Sequence, residues 1–90
     1  MAMFLLTYSD ESHAEGIKAR ATAKEIPFKV VSPSCCALIS KTIVTPKEMY
    51  EGLGIQDGEF GQLIIVKFDS YWGFHDAGLW AWLQGHGENL

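Results

Sequence analysis

The segment LIIVKF, residues 63 to 68, carries a single charge, Lys67, and runs straight into DSYWGF. A short apolar run bounded by turn signals reads as a β-strand, and successive side chains on a strand point to opposite faces. Leu63 and Ile65 therefore fall on one face and Ile64, Val66 and Phe68 on the other, so the strand is oily on both sides. A strand of this kind needs cover on both faces. It is expected to be the central and most buried strand of its sheet.

The chain has 90 residues, 48% of them hydrophobic, with three tryptophans. A chain of that length is expected to form one domain, residues 1–90, and such a domain buries only roughly 60–65% of its unfolded surface. So much apolar material on so small a body implies that a partner covers part of it. The net charge is −4, from 11 acids against 7 bases, with Lys18, Arg20 and Lys24 scattered among acids. Nucleic-acid binders carry a basic stripe that displaces counterions from phosphates, so this balance disfavours a nucleic-acid partner. No apolar run reaches the ~18 residues of a membrane span, and the opening MAMFLLTYSD lacks the basic flank of a signal peptide. The two cysteines, Cys35 and Cys36, are adjacent. Neighbours on a strand diverge, so free thiols and a cytoplasmic location are expected.

Local signals divide the chain further. MFLLTY, residues 3 to 8, reads as a first strand. SDES follows, where Asp10 or Ser12 caps a helix and Glu15 lies in its first turn. Ala14, Ile17 and Ala21 recur at helical spacing, and Gly16 weakens that helix by up to ~1 kcal/mol relative to alanine. Ile26-Pro27 stops it. FKVVS is a second strand which Pro33 makes bent, bulged or an edge. CCALISK is a third strand. Thr45-Pro46-Lys47-Glu48 is a helix start, with Thr45 as cap, Pro46 in the first helical position and Glu48 completing a capping box. Met49, Tyr50 and Leu53 face inward on that helix and Gly54 ends it. After the fourth strand, HDAGLWAWLQGHG reads as a short last helix capped by Asp76, with Leu79, Trp80 and Leu83 on one face and Trp82 to the side. The order is βαββαβ plus a C-terminal helix, which predicts a ferredoxin-like α+β fold with a four-stranded antiparallel sheet and two helices on one face. Its second face then needs a second subunit or the last helix, and sheet-against-sheet homodimerisation through Leu5, Ile64, Val66 and Trp72 is the first expectation.

Three stretches also resemble the SinR-like family of small bacterial and phage proteins. FLLTYSDES resembles its opening strand, which usually ends in Tyr-Asp. SCCALISKTIVTPKEMYEGL resembles its middle, where a strand of the Ser-Thr-Trp-Leu-Ile type leads to a capping Thr-Pro. The fourth strand with DSYWGFHDAGLWAWLQGH resembles its C-terminal part, ending in a Trp-x-Trp-Leu helix. The resemblance implies a fold similar to the second CRISPR-associated protein and the VapD toxins, which are ferredoxin-like homodimers. Some of their members are metal-dependent nucleases that place an aspartate from each subunit at the end of the first strand. Here Ser9 holds that place and Asp10 follows it, and Ala37 stands where the family often has tryptophan. A serine hydroxyl is a poor substitute for an anionic Mg²⁺ ligand.

Four clusters are weighed as sites. Asp10 and Glu11, beside Tyr8 and Ser9, are the candidate catalytic or metal-binding acids, holding Mg²⁺ or Mn²⁺ for phosphodiester hydrolysis; the plainer reading of both is helix capping. Asp69, His75 and Asp76 could share a metal or a proton, but they span a loop with no third soft ligand. Cys35 and Cys36 lack a visible cation to lower a thiol pKa, and read as small hydrophobes. Tyr71, Trp72, Phe74, Trp80 and Trp82 could stack on bases, yet without interleaved arginines they read as an apolar seal. There is no glycine-rich phosphate loop and no CxxC pair. The expected function is a non-catalytic homodimeric interaction or scaffold protein without a cofactor, with room for a further protein partner. The alternative is a metal-dependent nuclease acting on RNA or DNA at the dimer axis.

Overall fold

A computed structural model describes residues 2–70 and 77–85 of the chain. Four strands, β1 (Ala2–Tyr8), β2 (Phe28–Ser32), β3 (Cys35–Ser40) and β4 (Leu63–Phe68), form one antiparallel sheet in the order β2-β3-β1-β4. Two helices, α1 (Ala14–Ala23) and α2 (Pro46–Gly52), connect strands, and α3 (Ala77–Gly85) follows β4. A single 3₁₀ turn, Glu11–His13, leads into α1.

The helix boundaries follow local chemistry. Asp10 accepts the Ser12 amide at 2.9 Å and so caps the 3₁₀ turn. At α2 the Thr45 hydroxyl accepts the Glu48 amide at 3.1 Å and donates to the Glu48 carboxylate at 2.9 Å, with Pro46 opening the helix. Gly54 follows with φ +70, a left-handed turn that favours glycine. Pro33 lies just past β2, which is an edge strand and carries a register shift between Val30 and Ser32. Edges and bulges are where a sheet tolerates an interruption.

Both α1 and α2 pack on one face of the sheet. Ile17 and Ala21 of α1 and Met49 of α2, with Leu53 just beyond it, close over Phe4, Leu6 and Tyr8 of β1 and Cys36 and Leu38 of β3. Leu63 and Ile65 of β4 lie partly buried against the same cluster. The even positions of β1 and the odd positions of β4 share this face because Leu6 pairs with Ile65 and Tyr8 with Leu63.

On the opposite face a smaller cluster gathers Met3, Ile39, Leu79 and Leu83, with Val31, Phe68, Trp80 and Trp82 partly buried around it. The last helix therefore covers one part of the second face, near the start of β1, the end of β3 and the bulge of β2. The row Thr7–Ile64 and the neighbouring Leu5–Val66 pair lie beyond its cluster. Ile64 is 62% exposed and Val66 44%, while Leu5 is half-buried.

The expected central place of the fourth strand is corrected. Among the described residues β4 is an edge strand, paired with β1 alone, and the two interior strands are β1 and β3. Nor is it the most buried strand: five of the six residues of β3 are buried and none of β4. Apolarity on both faces concerns what lies above and below the sheet, and says nothing about neighbours on either side within it.

Candidate functional site

The expected acidic site lies at the end of β1. Ser9 closes the strand, donating its amide to the Gln62 carbonyl at 3.0 Å. Asp10 is fully exposed, and the Ser12 amide on its carboxylate holds its pKa below the usual carboxylate value. Glu11 is exposed in the 3₁₀ turn that follows. A shallow concavity of about 440 Å³ adjoins this end of the sheet, lined by Thr7, Tyr8, Ser9, Gln62, Leu63 and Ile64. None of those side chains is a carboxylate or an imidazole, so the concavity and the two acids do not coincide. Among the described residues no three of His, Cys, Asp or Glu converge.

The cysteines diverge as the strand period requires. Cys36 is buried with Leu38 on the helix face, whereas Cys35 is half-buried on the other. Burial pushes the Cys36 thiol up to about 12, helped by the neighbouring Cys35, and burial raises Cys35 as well. A nucleophilic cysteine needs the opposite shift. Asp69 is exposed just past β4; His75 and Asp76, its expected companions, lie outside the described residues, as do Tyr71, Trp72 and Phe74. Trp80 and Trp82 pack against the second cluster, as a seal between α3 and the sheet would.

Two arrangements were not legible beforehand. The first is a latch on the loop before β4. Arg20 pairs with Glu59, donates to the Gly54 carbonyl at 2.6 Å and lies 5.6 Å from the centre of the Phe60 ring. His13 stands edge-to-face with Phe60 at 5.7 Å between ring centres. The second is a concavity of about 480 Å³ at the far end of the sheet, where the ends of α1, β3 and α2 meet around Ser40. Its charged lining residues are Lys24, Glu25 and Lys41. Its lining comes from three separated segments, residues 24–27, residues 39–43 and Gly52, so no local motif announces it. It lies at the opposite end of β1 from Asp10, since Ser40 pairs with Ala2.

The described surface also presents large apolar side chains. Its most exposed large hydrophobics are Ile64, Val44, Val30 and Val66. Two of these, Ile64 and Val66, lie on one face of one edge strand. No family model, no curated protein and no solved structure matches this chain.

Proposed function

We propose that this protein is a non-catalytic homodimeric interaction or scaffold protein on a ferredoxin-like frame. Read from its other edge, the sheet order is β4-β1-β3-β2, the order in which a βαββαβ chain builds two interleaved βαβ units. Two helices on one face agree with that frame. The single observation that carries the function is the apolar strip of Ile64 and Val66, left open on the second face beside the part that α3 covers. Contiguous exposed aliphatic surface on a small domain marks a contact with another macromolecule. The setting of the polar groups supports the absence of chemistry: Asp10 is occupied as a cap and the thiols are desolvated.

The nuclease alternative, with Mg²⁺ or Mn²⁺ held by Asp10 or Glu11 across a dimer axis, has in its favour the exposure of both acids at the end of β1. Incubating the protein with RNA and with DNA in Mg²⁺ or Mn²⁺, beside an Asp10→Ala control, separates the two readings. Cleavage by the wild type that Asp10→Ala abolishes favours the nuclease. For the scaffold reading, light scattering is expected to give a dimer mass at micromolar concentration, and Ile64→Asp a monomer that keeps its circular dichroism. A wild-type monomer at that concentration overturns the homodimer.

A further inference from the structure

We infer that two copies of the chain join edge to edge through β4, antiparallel about a twofold axis at Ile65, to form one continuous eight-stranded sheet. This rests on the homodimer reading and specifies its interface. The two edges of the sheet differ in kind. On β2 the edge is interrupted by a bulge and followed by Pro33, two devices that discourage strand addition. On β4 the pairing with β1 runs without a shift from Leu63 to Phe68, with no proline and a single charge, Lys67. Such an edge is a template for another strand.

The hydrogen-bond phase of β4 fixes which groups it offers. Ser9 donates to the Gln62 carbonyl, and Ser9 and Gln62 are the pair next after Tyr8 and Leu63. In an antiparallel ladder the bonded pairs alternate, so Gln62, Ile64 and Val66 turn their backbone groups to β1, and Leu63, Ile65 and Lys67 turn theirs outward. Setting Ile65 on the axis brings the outward groups of one copy against those of the other: Ile65 with its mate, Leu63 with Lys67. That makes on the order of six backbone hydrogen bonds, two at each such pair.

The same register places Ile64 of each copy directly opposite Val66 of the other. These form the closer, non-bonded kind of pair, about 4.5 Å between Cα atoms. The two exposed aliphatics of the strand then cover one another, and the two lysines stay apart. A groove of about 250 Å³ between Pro46, Tyr50 and residues 63–65 leaves room for side chains of an added strand on the helix side. Stacking two whole sheets face to face is less suited to this molecule, because α3 already stands on part of the second face.

The test uses the full chain in a Cys35→Ser background. Ile64→Cys protein and Val66→Cys protein are oxidised separately and after mixing, and disulfide-linked dimer is measured on a non-reducing gel. Cross-linking is expected chiefly in the mixture, since the register sets position 64 against 66 and not against itself. Lys67→Pro removes an outward amide that β1 does not use, so it is expected to leave the melting curve intact and weaken self-association about tenfold or more. Should that variant fail to fold, the cysteine pair decides. A wild-type dimer whose mixed cysteines link no better than either alone, or a folded Lys67→Pro that dimerises normally, overturns edge pairing and leaves the homodimer standing. A monomeric wild type overturns both.

Discussion

The Phe60 ring lies against the backbone of Gly16. A methyl group added at Gly16 would come within 2.6 Å of the ring's Cε1. Real Cβ atoms do not approach so closely, and Phe60 is buried, with His13 edge-on and Arg20 near its face. The absent side chain in α1 is what lets the loop before β4 close onto the helix.

The first consequence is that Gly16→Ala does not stabilise the protein. Helix propensity alone favours alanine by up to ~1 kcal/mol. Overpacking against a buried ring opposes this with roughly 1–3 kcal/mol. A lower midpoint in urea is expected, partly relieved when Phe60→Leu is added. A clear rise in the midpoint would show that the ring moves aside freely.

Tyr8 is 4% exposed, and its phenolic oxygen has no hydrogen-bond partner among the described residues. Burial raises its pKa, with the nearby thiols adding to the shift. A buried hydroxyl without a partner costs about 1–3 kcal/mol. Tyr8→Phe is therefore expected to melt at the same temperature as the wild type or higher. A fall of several degrees would mean that the hydroxyl is well satisfied in solution.

Cys36 gives a pH dependence with a definite sign. Its thiol is raised in the folded chain from 9.0 to about 12, so the folded state holds a proton that the unfolded state releases. That contribution is complete below pH 9 and is lost as pH rises toward 12, at up to about 1.4 kcal/mol per unit. Denaturation at pH 8 and at pH 10.5 is expected to show a steeper loss for the wild type than for Cys36→Ala. Parallel curves for the two proteins would count against a desolvated thiol. Under native conditions at pH 8, Cys36 is also expected to resist alkylation until urea is added.

At the start of α2, Thr45→Ala removes the acceptor for the Glu48 amide and the hydroxyl that donates to the Glu48 carboxylate. The expected loss is about 1 kcal/mol in chemical denaturation, with Thr45→Ser recovering most of it. A loss near zero would indicate that solvent replaces the cap without penalty.

Much of the scaffold was legible in short windows of sequence. Phe28–Ser32 and the run from Cys35 were readable as strands, Thr45-Pro46 as a helix start, and Ile17 and Ala21 as the buried stripe of α1; the structure places each accordingly. The trouble with β2 was visible in Pro33, and it emerged as a bulged edge. Asp10 was readable as a cap, which is how it is used. These signals are local: caps, proline geometry and alternation are decided within about four residues.

What sequence alone determined was therefore where elements begin and end and which side chains share a face. Only tertiary structure decided that β4 is an edge, that α3 shields part of the second face while Ile64 and Val66 stay open, and that Gly16 is a contact point for Phe60. Strand order and packing depend on residues tens of positions apart, brought together by closing loops whose entropy varies only slowly with length. An oily strand lowers its free energy against any apolar surface, and the chain's own connections determine which surface it meets.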